Sequence, residues 1–323
     1  MRDLNLEAAI WNFFTSPEFY EAAAQECEKT MEWFGTLAVA RQVANFGRNN
    51  QIFDKFKQRA REIRKGAELA KLGDYRFLWD ISDSIRGDTR GFMEQALHSW
   101  MTDAEEKEFS NVRLSRILAY SSQITRALNN AMVAADCFFD PDPDCPERAN
   151  DDDGFPGDNI AQVYRSYANY YEKGFWQLPT SLPEYRIDPS ISCRTGEDVP
   201  RTGVWYPDTG LEHHSLTFAI KGLRMPPAFR VTKTEEELQA EGIWGGAETV
   251  AVATTWHPVV PSGAEREMNQ ELWSKAGQPC PRAGIWQPTD PGAAQRAYER
   301  GEPMANLGSA YGLTVWRWLR SAK

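Results

Sequence analysis

Apolar residues recur every three or four positions up to about Gly174, and beyond about Gln177 they gather in short runs separated by Pro and Gly. The first pattern is that of amphipathic helices, the second that of short strands joined by turns. Ser16-Pro17 has the form of an N-cap followed by proline at the first helical position, and predicts a helix continuing until Gly47. Asn49 or Asn50 can cap a second helix. There Ile52, Phe53, Phe56, Ala60 and Ile63 form an apolar stripe, and Lys55, Lys57, Arg59, Arg61, Arg64 and Lys65 a basic face of the kind that is usually solvated. A third helical segment spans about Tyr75 to Trp100, with a break expected at Arg86-Gly87-Asp88. Thr102-Asp103-Ala104-Glu105 spells a capping box and opens a fourth helix, reaching about Asp136 along Phe109, Val112, Ile117, Ile124, Leu128 and Met132. Asp158 can cap a last helix, in which Tyr164, Tyr167, Tyr170 and Tyr171 read as core and rim.

The second half holds runs such as GVWYP, LTFAIKG, FRVTK, TVAVATTW and LTVWRWL, rich in β-branched and aromatic residues. The fold class expected is α+β: an N-terminal all-α domain over 1–176, ending in an acidic loop and a last helix, and a β-rich domain over 177–323. The β-rich part repeats itself. Gly203-Val204-Trp205-Tyr206-Pro207 matches Gly284-Ile285-Trp286-Gln287-Pro288 at an offset of 81, and Gly222 and Met225 match Gly301 and Met304 at 79. Two landmarks in the same order at nearly the same separation predict two related modules. Glycine before an aliphatic-Trp pair turns the backbone into a strand, Trp supplies buried area, and the proline two residues on limits pairing. Gly203, Trp205, Gly222, Met225, Gly284, Trp286, Gly301 and Met304 are therefore read as framework. A cysteine precedes each unit, Cys193 and Cys280, at unequal spacing, and Gly242-Ile243-Trp244 reads as a degenerate third copy or a coincidence.

Charge narrows the partners. The net charge of -10 disfavours nucleic acid, which needs clustered Lys and Arg, and favours basic partners. Residues 101–200 carry eighteen acidic against nine basic side chains, so the acidity is local. No apolar run is long enough for a bilayer, and MRDLNLEAAIWNFF has acids where a secretory signal needs an apolar core. With five scattered cysteines, the expectation is a cytoplasmic chain with reduced thiols and no membrane partner.

Signatures of nucleotide, zinc and acyl chemistry do not occur, and neither a cofactor nor a metal is expected. His213 and His214 are adjacent and so point to different sides of a strand, which makes a poor metal pair. A nucleophile built from Cys193 or Cys280 with His214 or His257 requires a lowered thiol pKa. The acidic loop FFDPDPDCPERANDDDGFPGD alternates Asp140, Asp142 and Asp144 as a calcium loop does. Cys145, however, replaces the required Gly, and Asp151 stands where a bidentate Glu belongs. It reads as a solvated linker or as an anionic surface in which Asp140, Asp142, Asp144, Glu147, Asp151, Asp152 and Asp153 steer a basic partner.

The doubled Pro-Arg-x-Gly-[Val/Ile]-Trp and the Gly and Met elements that follow resemble immunity proteins of bacterial polymorphic-toxin systems, the families numbered seventy-one and seventy-two. Those families accompany effectors of type VI secretion and Rhs type. The resemblance covers about the last 140 residues, through Cys193, Pro200, Gly203, Trp205, Gly222, Met225, Pro226, Cys280, Pro281, Gly284, Trp286, Gly301 and Met304. The chain departs from the pattern where Cys193 lacks a following proline and where Pro303-Met304 inverts Met225-Pro226. The resemblance implies a non-catalytic inhibitor that binds one cognate, basic toxin domain. A cytoplasmic Cys/His hydrolase reversing a modification, and an effector adaptor or chaperone that leaves its cargo active, are the other classes considered.

Overall fold

The computed structural model describes residues 4–41, 49–93, 97–133, 167, 170–178, 181–209, 216–233, 235–243, 248–267, 272–288, 293–307 and 314–321. It is an α+β protein whose helical region precedes a β-rich region of separate sheets. The chain forms two compact units, one over Phe13–Met132, the other comprising Met1–Asn12 and Val133–Lys323.

Helix α1 (Leu4–Phe14) leads into α2 (Pro17–Ala40) across Ser16, whose hydroxyl accepts from the Phe19 N–H at 3.1 Å with Pro17 at the first turn. Helix α2 stops at Ala40 and does not run on to Gly47. Arg41 leaves the helical backbone, and its guanidinium is taken by the Trp100 carbonyl and both oxygens of Glu105. Helix α3 (Asn49–Ala70) closes on Gly73 with a pair of bonds, Gly73 N–H to Ala70 O and Asp74 N–H to Leu69 O, that satisfies its last carbonyls. Then come α4 (Arg76–Trp79) and α5 (Ile81–Met93).

The expected break at Arg86-Gly87-Asp88 is overturned, because α5 passes straight through it and the interruption falls at Asp80. An exposed helical glycine costs only about 1 kcal/mol, and here Asp88 offsets it by holding Arg59 at 2.6 Å and Lys55 at 3.5 Å. The capping box at Thr102 and Glu105 forms as read. It starts α6 (Asp103–Lys107), which continues through a π-helical turn at Glu108–Leu114 into α7 (Ser115–Val133). Phe109, in that turn, is fully buried beside Trp33, Phe34, Phe56 and Phe92. The basic face of α3 is not simply solvated: Arg64 binds Glu21 and Glu28 of α2, and its guanidinium draws both carboxyls below their usual range.

The β-rich unit contains a five-stranded and a four-stranded sheet that share one four-strand design. The first has β1 (Ser181–Ile187), β2 (Cys193–Arg194), β3 (Gly203–Pro207), β4 (Thr217–Ala219) and β7 (Thr255–Glu267), ordered β1-β7-β3-β4 with β2 also on β7. Between β4 and β7 the chain forms an arm of β5 (Ala228–Lys233), α8 (Glu235–Ala240) and β6 (Glu248–Val252), in which β5 pairs with β6. The second sheet takes β8 (Trp273–Lys275), β9 (Gly284–Pro288), β10 (Arg296–Tyr298) and β11 (Val315–Arg320) in the order β10-β9-β11-β8. Thus β2, β3, β4 and β7 correspond to β8, β9, β10 and β11. All their pairings are antiparallel.

Backbone bonds outside the strands match one for one. In the first module Gly196 N–H donates to Met225 O, Met225 N–H to Glu197 O, Val199 N–H to Leu223 O and Gly222 N–H to Val199 O. In the second, Gly277 donates to Met304, Met304 to Gln278, Cys280 to Glu302 and Gly301 to Cys280. The glycines adopt matching positive φ as well, 153° and 152° at Gly203 and Gly284, 82° and 87° at Gly222 and Gly301. Side chains other than glycine rarely adopt such backbone, which is why the glycines recur at these two places.

Candidate functional site

Side chains that close each module fall at equivalent positions. Trp205 and Trp286, Met225 and Met304, and Trp256 and Trp316 are all buried to 2% exposure or less. Trp205 and Trp286 sit centrally because β3 and β9 are each flanked on both sides, by β4 and β7 and by β10 and β11. The eight repeated residues read from the sequence fall at equivalent places, four to a module.

The expected matching of cysteines is overturned. By register and by the backbone bonds Cys280 corresponds to Val199, and Cys193 to Ser274, because Cys193 faces Trp256 on β7 as Ser274 faces Trp316 on β11. Cys193 fills its core from β2, and Cys280 fills its core from the connection between β8 and β9. The inverted Pro303-Met304 is harmless for the same reason, since Met304 keeps its place and Pro303 takes that of Arg224 opposite Pro279 and Asp198. Gly242-Ile243 is no third module. Ile243 N–H to Leu238 O and Gly242 N–H to Gln239 O make it the C-terminal cap of α8, and Trp244 lies outside the described residues.

Burial pushes the Cys193 thiol up to about 11, with Glu197 and Asp198 adding to it, and also raises Cys280, whose Sγ lies 3.0 Å from the Arg282 carbonyl. Such thiols are protonated at neutral pH and poor nucleophiles. Cys27, buried in the helical unit, is pushed up to about 12. His257 neighbours Trp256 on β7, so its ring projects to the face opposite Cys193, and its Nδ1 is 3.0 Å from the Ile191 carbonyl. His213, His214, Cys137, Cys145 and the whole set Asp140, Asp142, Asp144, Glu147, Asp151, Asp152 and Asp153 lie outside the described residues. Among the described residues no group of His, Cys, Asp and Glu is arranged to hold a metal ion, and no helix is long and apolar enough to cross a membrane.

Three features escaped the sequence reading. Gly196 and Gly277 open both brackets, and their surroundings, Arg194-Thr195-Gly196-Glu197 and Lys275-Ala276-Gly277-Gln278, carry a basic-small-Gly-polar signal at the same offset of 81. Trp256 and Trp316 close them, but the arm shifts their spacing away from that offset. The arm itself carries Glu235, Glu236, Glu237, Glu241 and Glu248 against Arg230 and Lys233, and exposes Ile243 and Val250. Among the described residues the second module has no counterpart to it.

No protein-family model, curated protein or solved structure matches the chain.

Proposed function

We propose that the protein is an immunity protein that binds a cognate, basic antibacterial toxin in the cytoplasm of the producing cell and neutralises it by covering its active site. The observation that carries this reading is where the repetition stops. The two modules share their backbone bracket and their buried Trp and Met positions and diverge outside, the first growing an acidic arm with exposed apolar residues, a composition suited to gripping a cationic protein surface. The stretch from Asp140 to Asp153 carries further acidic side chains. The protonated, enclosed thiols support inhibition by contact over nucleophilic chemistry.

A toxin interface of about 1,200 to 2,000 Å2 in total is the expected size. The decisive measurement mixes the protein with the product of the adjacent gene and co-expresses the two. A stable complex and restored growth are expected. A mixture that elutes as separate species, with growth still arrested, removes the reading, and a complex in which the effector stays active replaces it with an adaptor.

A further inference from the structure

In the helical unit, α3 and the corner joining α4 to α5 enclose a cleft of about 510 Å3. Its position follows from Gly66, where a Cβ would lie 2.8 Å from Leu78, so that α4 seats tightly on α3 and the gap opens one turn earlier, at Glu62 and Arg59. Two guanidiniums line the cleft, and both are already committed. Arg59 is held by Asp88 and Glu62, and Arg76 by both oxygens of Asp74. What the cleft still offers is the Phe77 ring, 42% exposed, and the Asp80 carboxylate, which has no cationic partner among the described residues. Burial and the neighbouring Asp83 push the Asp80 pKa up, as befits a carboxylate lacking a counter-charge. A cation already lies on the ring: Lys65 Nζ is 5.0 Å from its centroid, and Lys65 too has no carboxylate partner among the described residues.

An exposed aromatic ring beside an uncompensated carboxylate is complementary to a cation, and a planar guanidinium satisfies both at once, stacking on the ring while bonding the carboxylate through two N–H groups. An anion suits it less, because both arginines already face carboxylates and the lining carries three carboxylates, Glu62, Asp74 and Asp80, against two guanidiniums. We propose that this cleft receives an arginine side chain of a basic protein partner, its guanidinium against Phe77 and Asp80, and that Lys65 occupies the ring in the free protein. The identity of the partner as the toxin rests on the function proposed above; the chemistry of the cleft does not.

The test titrates the full chain with N-acetyl-arginine methylamide and follows backbone amide shifts at Phe77, Asp80 and Lys65 by NMR, with the neutral citrulline analogue as control. Saturable shifts with the arginine probe and none with citrulline are expected. Asp80→Asn and Phe77→Leu should each weaken the titration by about two- to fivefold, and Lys65→Met should strengthen it by a similar factor, since it removes the internal competitor. Opposite signs from neighbouring surface positions are not what a general loss of structure produces, and Asp80→Asn and Lys65→Met carry the test should Phe77→Leu fold poorly. Equal shifts with citrulline, an Asp80→Asn titration like that of the parent, or weaker binding by Lys65→Met would overturn the proposal. If the wild-type chain binds no toxin, the function proposed above fails while the probe still reads the cleft. If it does bind, Asp80→Asn must weaken that complex, and an unchanged complex removes the toxin as the cleft's occupant.

Discussion

The first and second modules are bracketed by the same backbone bonds yet are filled differently. In the second, the two central indole N–H groups find acceptors: Trp286 donates to Arg282 O at 3.0 Å and Trp316 to Ala305 O at 2.8 Å. Tyr298 packs edge-on against Trp316 and accepts the Ala305 N–H through its hydroxyl. In the first, Ala219 stands where Tyr298 does, and the Trp205 and Trp256 N–H groups are buried without a partner. Ala228, from the root of the arm, joins that core instead. The first module also draws on a segment far away in sequence: α1 sends the fully buried Glu7 to accept the Leu216 N–H at 2.7 Å, and Asn5 to accept the Tyr185 N–H at the irregularity between β1 and β7. The lesson is that a duplicated backbone bracket tolerates unequal interiors. The copy that carries the arm is the one propped by α1, while the second leans on Tyr167 and Glu172 through Trp273 and Lys275.

The largest effects should come from the central tryptophans. Trp205→Ala and Trp286→Ala should each cost about 3–5 kcal/mol, read module by module as lost amide-exchange protection at Gly196 and Gly277, the equivalent bracket donors. Replacement by Phe should separate the copies. Trp286→Phe gives up a made hydrogen bond, whereas Trp205→Phe removes an unsatisfied donor, so the second module should lose more. Equal losses in both would mean that the difference in indole bonding has no energetic weight.

Next are the strand-entry glycines. Both have the same φ, but a Cβ on Gly284 would lie 2.4 Å from Arg320 O and Trp318 Nε1, while one on Gly203 meets nothing within 4 Å. Gly203→Ala therefore costs backbone strain of about 1–3 kcal/mol, and Gly284→Ala costs that and a steric clash of similar size, about 2–5 kcal/mol together. Thermal denaturation of the two variants side by side measures the gap.

Glu7→Ala should cost about 1–3 kcal/mol by leaving the buried Leu216 N–H without its acceptor. Its loss of exchange protection should be confined to the first module. Protection lost equally at Gly277 would show that α1 supports both copies and would dissolve the contrast.

Much of this was legible in the sequence, and for identifiable reasons. Ser16-Pro17 and Thr102 to Glu105 are local capping chemistry, and local chemistry reads directly from neighbouring residues. The glycine and Trp-Met landmarks were legible because positive φ and a fully buried indole tolerate few substitutes. The false cysteine match had the opposite origin: Val199 and Cys280 are interchangeable small apolar fillers, so identity at Cys193 and Cys280 carried no positional information. The helix through Gly87 was hidden because its support, Asp88 to Arg59, is long-range. Glu7 was invisible for the same reason, as nothing near it in sequence announces a strand two hundred residues away.

The smallest effects test the correspondence itself. If Cys280 and Val199 occupy one position, then Cys280→Val and Val199→Cys each put the other copy's residue into a site that already accepts it, and each should cost less than about 1.5 kcal/mol. Cys193→Ser makes the matching exchange with Ser274 and has a sharper readout in pH. The folded Cys193 pKa is raised to about 11, so the thiol's contribution to stability is fully present below the unfolded value of about 8.5. It fades as pH rises from there towards the folded value, because the unfolded chain then releases a proton that the folded one retains. Cys280 is raised in the same direction. Stability of the first module, followed at Gly196, should therefore decline across that alkaline window in the wild type and decline less in Cys193→Ser. An identical decline in the two proteins would place the Cys193 thiol in contact with solvent and detach it from the core that Trp205 and Trp256 close.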